Sequence, residues 1–340
     1  MIKVQERYSR QAIFQGIGAV GQEKIKHSRV AVVGVGALGT VIANNLARAG
    51  VGYIRLIDRD FVELSNLQRQ TIFNEEDARN HLPKAIAAVE YLKKVNSEIE
   101  LEAVISDFNG SNGETLLADV DLVMDGTDNY ETRFLLNDVC LKKNIPWIHG
   151  AVLGSYGLTT NIIPGKTPCY QCFMPEMPNV GIGGTCSSAG VLNMITGIIS
   201  CYASAEALKI LVDSPDIRRS TLCIDVWDNS FTSVELPILP ECPACGKHEY
   251  HYLDNKKGTY TTSLCGQNAV QIVPGKVRKM DFSHIAEGLV HLGDCQYNSF
   301  ILRFKVGELE ITLFTDGRAI IKNMENENKA KALYTEYFGL

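Results

Sequence analysis

The stretch from Arg29 to Gly39, RVAVVGVGALG, constrains this chain more than any other. Val30 to Val33 are continuously apolar, as a strand buried on both faces requires. Glycines follow in Gly34-Val35-Gly36-Ala37-Leu38-Gly39, and Thr40 to Ala49 then carry helical periodicity. YIRLID at 53–58 reads as a second strand ending in an acid. Strand, glycine turn, helix, strand specifies a right-handed parallel crossover. Glycines let the backbone approach a phosphate closely, and the helix N-terminus offers free N–H groups and the positive end of a dipole. Asp58, at the end of the second strand, suits a pair of ribose hydroxyls.

The same alternation continues. A helix is expected over 83–95, beginning with Pro83, and strands at 101–106 and within 121–129. A further helix is expected over 131–143 and a strand at 146–150. Helices alternating with buried strands mean an α/β fold, a Rossmann-like, doubly wound and mostly parallel sheet. In such sheets ligands bind beyond the carboxyl ends of the strands, where the glycine turn, Asp58 and Asp128 all fall. Residues 164–188 are rich in Gly, Pro and Cys and read as a long loop, a feature that in compact domains is often functional. A buried core helix over about 191–211 and a strand pair in CIDVWDNSFTSVEL follow. These segments define a first domain, residues 1–253. The polar DNKKGTY at 254–260 reads as a linker. Residues 261–340 then read as a small α+β domain. Its strands are expected at 269–273, 299–306, 308–314 and 318–322, with a hairpin turn at Val306-Gly307-Glu308 and helices at 281–291 and 326–337.

Among 340 residues there are ten cysteines. Four form two C-x-x-C pairs, Cys169 with Cys172 and Cys242 with Cys245. In a reducing compartment such pairs suggest metal before disulfides. Two knuckles can supply four thiolates to a tetrahedral Zn²⁺, leaving no open position, so the site would be structural. Pro168 and Pro243 fit knuckle turns better than the helix start of a redox C-x-x-C. The alternatives are two redox pairs or unpaired core thiols. Cys186, in GGTCSSAG before a helix, is either a reactive thiol or a bystander. Cys265, beside a glycine at the start of the C-terminal segment, is either redox-active or simply packed. Cys140, Cys201, Cys223 and Cys295 read as small core hydrophobes.

Following the second strand comes Asp58-Arg59-Asp60-Phe61-Val62-Glu63-Leu64-Ser65-Asn66-Leu67-Gln68-Arg69-Gln70. Together with Arg10 in RYSRQ and Asp128-Asn129 in GTDN, it resembles the ThiF/MoeB branch of the ubiquitin-activating enzyme superfamily over about residues 5–248. That resemblance implies an adenylyltransferase that joins AMP to the C-terminal glycine of a ubiquitin-like sulfur carrier. It implies an ATP site of Gly34, Gly36, Ala37, Gly39, Asp58, Asp60, Ser65, Asn66, Arg69, Lys84, Asp128 and Asn129. Asn66, Arg69 and Lys84 would meet the triphosphate, Asp128 would hold Mg²⁺, and the four cysteines would hold zinc. Asp60 is expected to support this set or to cap a helix. Arg10 would reach the phosphates of a neighbouring subunit, which implies a homodimer. Cys186 would be placed for a covalent link to the carrier. The implied partners are a carrier ending in Gly-Gly, of the molybdopterin type or the thiamin type with a lean to the former, and a sulfur donor such as a cysteine desulfurase or a rhodanese. No rhodanese-like active-site loop is visible in the C-terminal segment.

The formal net charge of −6 disfavours a nucleic-acid binder. The N-terminal residues lack the layout of a secretory signal, and no apolar run reaches the ~20 residues of a membrane span. A cytoplasmic protein without membrane or nucleic-acid partners is therefore expected. An NAD-dependent oxidoreductase is the rival reading. It accounts for the glycine turn and Asp58 but not for SNLQRQ, RYSRQ or the paired cysteines. A non-enzymatic scaffold is a third.

Overall fold

The computed structural model describes residues 5–178, 189–254, 260–264, 269–274, 280–324 and 326–338. Cys186 and Cys265 lie outside them, as does most of the expected linker. The described residues divide into two compact units, the first ending at Asp254 and the second beginning at Tyr260.

The first unit is built on an eight-stranded sheet in the order β3-β2-β1-β4-β5-β6-β7-β8. Its strands are β1 (Arg29–Val33), β2 (Tyr53–Asp58), β3 (Glu100–Ile105), β4 (Leu122–Asp125), β5 (Trp147–Leu153), β6 (Tyr156–Ile162), β7 (Thr221–Asp225) and β8 (Ser230–Val234). The first five run parallel and the last three antiparallel. The Ala37–Ala49 and Lys84–Val95 helices carry the crossovers from β1 to β2 and from β2 to β3. After β3 the chain returns to pair β4 with β1 on its other side. Winding therefore reverses between β1 and β4, which opens a crevice beyond their carboxyl ends.

Val30, Ala31 and Val32 are fully buried, as the apolar run predicts for a central parallel strand. One face of the sheet packs Leu38, Ile42 and Leu46 against Ile195, Ile199 and Ala203 of the Asn193–Leu211 helix. That helix alone, among the described residues, is long and apolar enough by composition to cross a membrane. Here it lies on the sheet, with Ser200 Oγ donating to the carbonyl of Leu38 at 3.1 Å. On the opposite face Trp147 of β5 packs with Phe134 of the Tyr130–Lys143 helix and with Tyr170, between Cys169 and Cys172.

Sequence patterning gives no strand at 156–162. YGLTTNI has little apolar alternation, and β6 owes its place to a hairpin with β5 through Gly154, whose φ is +61°.

The second unit is a six-stranded antiparallel sheet in the order β11-β12-β13-β14-β10-β9. These strands are β9 (Tyr260–Leu264), β10 (Ala269–Val273), β11 (Asp294–Tyr297), β12 (Ile301–Val306), β13 (Leu309–Phe314) and β14 (Ala319–Lys322). The Phe282–Leu289 and Glu327–Phe338 helices share its core, where Phe282 and Tyr334 meet Val270, Phe304, Leu313 and Ile321. The expected hairpin turn is present: Val306 pairs with Leu309 across Gly307, whose φ is +57°. Strands β9 and β11 were not foreseen. β9 opens on Tyr260, the last residue of the expected linker, and β11 is short and polar.

Candidate active site

The glycine turn and the loop after β4 form one cradle. Gly34, at φ +85°, donates its N–H to Ile57 O at 2.8 Å, and Gly126 donates to Val33 O at 2.8 Å. A Cβ on Gly34 would lie 2.7 Å from the carbonyl carbon of Gly126, and one on Gly39 would lie 2.9 Å from that of Gly34. Those glycines are demanded by the chain's own packing. Gly36 differs. A Cβ there meets nothing closer than Gly126 O at 3.8 Å and Gln70 Nε2 at 3.9 Å. The fold leaves that space open at the start of the Ala37–Ala49 helix, where the first N–H groups have no intrahelical acceptor. Gln70 flanks the opening. It is 4% exposed, and its Oε1 has no hydrogen-bond partner.

Asp58 closes the second side. Its Oδ2 accepts from Val35 N at 2.6 Å and its Oδ1 from Asp60 N at 2.7 Å. Burial pushes this carboxyl up from the ordinary range, against the pull of Lys84. Lys84 begins its helix 3.4 Å from Asp60 Oδ2 and is itself buried. Burial opposes its charge, but Asp60, Asp58 and Asp128 outweigh that and hold its pKa above the usual lysine value. Asp60 therefore anchors Lys84 through its side chain and through its carbonyl, which accepts Lys84 N at 2.9 Å. The N-cap position of the Lys84–Val95 helix is held by Pro83, and the carbonyl of Asp60 takes the N–H of its first residue. Arg59, not anticipated from the sequence, adds a second cation, bound to Asp107 at 2.8 Å and close enough to Asp128 to feel its charge.

The expected residues thus divide. Gly34, Gly36, Ala37, Gly39, Asp58, Asp60, Lys84 and Asp128 gather at the strand ends. Asn66 is buried in the short turn Leu64–Asn66, its Oδ1 accepting from Glu63 N at 3.1 Å. Arg69 folds back on that turn, donating to the carbonyl of Ser65 at 3.0 Å. Asn129 is the N-cap of the Tyr130–Lys143 helix, accepting from Thr132 N at 2.9 Å. Arg10 is exposed on the Ser9–Ile13 helix and, among the described residues, has no bond to the cluster.

Asp125, His149 and Arg133 escaped the sequence reading. Asp125, fully buried at the end of β4, pairs with Arg133 at 3.3 Å and with His149 Nδ1 at 2.7 Å. Burial opposes the charge on Asp125, but Arg133 and His149 keep its carboxyl below the ordinary range, while burial holds the imidazole of His149 low. The available signal was the D-x-T at a strand end, whose carboxylate accepts from the second N–H beyond it.

The four cysteines form a second site. Cys169 Sγ lies 3.5 Å from Cys242 Sγ and 3.9 Å from Cys172 Sγ, and Cys172 Sγ lies 3.4 Å from Cys245 Sγ. All four sulfurs fall within 4.8 Å of one another. Sulfurs at ~2.3 Å from a tetrahedral zinc sit roughly 3.8 Å apart, so the donor set fits that ion. Each knuckle is closed by main-chain bonds, Cys172 N to Cys169 O at 3.0 Å and Gly246 N to Cys242 O at 2.9 Å.

A switch-point cradle with buried cations beside carboxylates, and a four-cysteine cluster able to hold a metal ion, place the chain among the Rossmann-like α/β proteins. The family model described as the ThiF family matches residues 8–244. The sulfur carrier protein ThiS adenylyltransferase of Bacillus subtilis is 36% identical over 338 residues, covering 98% of this chain and 99% of that protein. The SAMP-activating enzyme E1 of Haloferax volcanii is 38% identical, covering 71% of this chain and 89% of that one. In fold, the crystal structure of E. coli MccB with ATP aligns at a TM-score of 0.63 and 23% identity, covering 71% of this chain and 75% of that chain. The chain belongs to the ThiF family. It is an adenylyltransferase.

Proposed function

We propose that this protein uses ATP to adenylylate the C-terminal glycine carboxylate of a ubiquitin-like sulfur carrier of the ThiS type. The end-to-end similarity to a ThiS adenylyltransferase carries the choice of carrier, because it includes the C-terminal unit. The sequence alone leaned to the molybdopterin type.

ATP would lie across the glycine turn, its ribose on Asp58 and its phosphates over Gly36 and the N–H groups of the following helix. Asn66, Arg69 and Lys84 would neutralise the phosphates, with Ser65 and Asn129 shaping the rim. Asp128 would hold Mg²⁺, which supplies charge neutralisation at the phosphate oxygens. The carrier's carboxylate is ionised at pH 7 and needs no general base. One of its oxygens bonds to the α-phosphorus, the bond to the bridging oxygen breaks, and pyrophosphate leaves. The chain contributes positioning and charge stabilisation. The acyl-adenylate is then open to a sulfur donor. Under the same reading Arg10 would act across a homodimer, Cys186 would form the covalent link to the carrier, and zinc would tie the two knuckles.

Mixing the protein with Mg²⁺, ATP and either a ThiS-type or a MoaD-type carrier tests this by mass spectrometry. The ThiS-type carrier should gain AMP, and Arg69→Ala and Asp128→Ala should abolish the gain. AMP transfer to neither carrier, or undiminished transfer by both variants, would overturn the proposal.

A further inference from the structure

Directly under the Asp128 loop lies the Asp125–His149–Arg133 network, and every polar group of Thr127 is bound into it. Asp125 Oδ1 accepts from Thr127 N at 2.9 Å and from Thr127 Oγ1 at 2.6 Å. Arg133 Nη2 donates to Thr127 O at 2.6 Å and to Gly150 O at 3.3 Å. The next residue is Asp128, whose side chain is exposed at the strand ends. The N–H, carbonyl and hydroxyl of Thr127 are all held, so the main chain leading into Asp128 is anchored by buried groups.

His149 is the part of this network that comes from another strand. It is 3% exposed, on β5, and its Nδ1 is 2.7 Å from Asp125 Oδ2. A carboxylate only accepts, so Nδ1 carries the hydrogen. The ring is held edge-on to Tyr170, centroids 5.0 Å apart, with Trp147 at 5.9 Å and Phe173 at 6.2 Å. Tyr170 lies within the first cysteine pair and Phe173 directly follows it. The wall around the four thiols therefore orients an imidazole, the imidazole orients Asp125, and Asp125 holds Thr127.

We infer that His149 is a positioning residue for Asp128, acting through Asp125 and Thr127 to aim the Asp128 carboxylate at the metal of a metal–nucleotide complex. This rests on the reading of Asp128 as the Mg²⁺ ligand. Groups that orient a metal ligand typically contribute 10–100-fold to metal affinity.

The test compares His149→Leu with His149→Asn, whose amide nitrogen can stand where Nδ1 stands. Calorimetry measures ATP binding with Mg²⁺ and with EDTA, alongside zinc content and the urea midpoint. In His149→Leu, affinity for Mg–ATP should fall roughly tenfold, while affinity for ATP in EDTA stays within about twofold, because the glycine cradle and Lys84 are untouched. His149→Asn should bind both forms within about twofold of the parent. Equal weakening of both forms would mean a merely structural role, and unchanged Mg–ATP binding would mean no role. Either result overturns the inference. Should His149→Leu fail to fold, Thr127→Val against Thr127→Ser asks the same question from the other end of the network, with the same selective loss expected in the valine variant alone. A parent protein that binds ATP equally with and without Mg²⁺ would instead overturn the reading of Asp128, and this inference with it.

Discussion

Gly36 and Gly39 lie three residues apart in one turn, and a Cβ has room at the first and none at the second. An alanine at 39 would place its Cβ 2.9 Å from the carbonyl carbon of Gly34 and drive it into the oxygen of that carbonyl. Carbon–carbon contacts are comfortable at about 3.5–4.0 Å, and both partners here are main chain, which cannot rotate away. Overpacking costs ~1–3 kcal/mol, with main-chain obstruction at the upper end. Alanine recovers about 1 kcal/mol over glycine inside a helix. Gly39→Ala should therefore lose about 2 kcal/mol of stability. An alanine at 36 meets nothing within 3.8 Å, and its cost is limited to the weaker N-cap preference of alanine, about 1 kcal/mol or less. Its methyl group, however, fills the space that a phosphate would occupy. A hundredfold loss of ATP affinity, about 2.7 kcal/mol, is expected. Urea denaturation reads the first quantity and calorimetric titration with Mg–ATP the second, for both variants. If Gly36→Ala binds ATP as the parent does, the open space is not the phosphate site. If Gly39→Ala is as stable as the parent, the packing argument is wrong.

Replacing Lys84 with Met removes the cation from between Asp58, Asp60 and Asp128; carrier-dependent pyrophosphate exchange should fall by about 10²-fold or more, and a drop under about threefold would exclude Lys84 as a phosphate contact. Burial raises the Asp138 carboxyl from its ordinary 3.8 to about 6. A carboxyl raised on folding stabilises the folded state while protonated, and that contribution is lost as pH climbs through 6. Asp138→Asn keeps an acceptor for Tyr252 N, now 2.8 Å away, and for Leu253 N. The stability of the variant relative to the parent should thus be about 2 kcal/mol greater at pH 7.5 than at pH 4.5; a pH-independent difference in urea melts would show that Asp138 titrates normally. Metal analysis should find one zinc per chain. Because site binding is coupled to folding, stripping it should cost at least about 5 kcal/mol and lower the melting temperature by roughly 10 °C or more. A metal-free protein indifferent to chelator would refute the zinc assignment.

What was legible in the sequence is what depends on neighbours along the chain. The glycine turn, the acid ending β2 and each C-x-x-C knuckle are local devices. Spacing of a few residues sets their geometry, and the alternation of apolar strands and helices set the parallel half of the sheet. The strand β6 was not legible, because YGLTTNI carries no alternation of its own and is held by its partners β5 and β7. Nor was the pairing of Arg59 with Asp107, 48 residues away, or the task of Asp60, which depends on where the Lys84 helix begins. The Asp125–His149 contact has the same origin. Parallel pairing of Met124 with Ile148 sets the next residues of β4 and β5 side by side, and only that register turns an ordinary strand histidine into the partner of a buried carboxylate. The sequence by itself determined which chemistry stands at each strand end. The tertiary structure decided which of those groups face one another, because hydrogen bonds and charge pairing act over a few ångströms of space regardless of how much chain lies between.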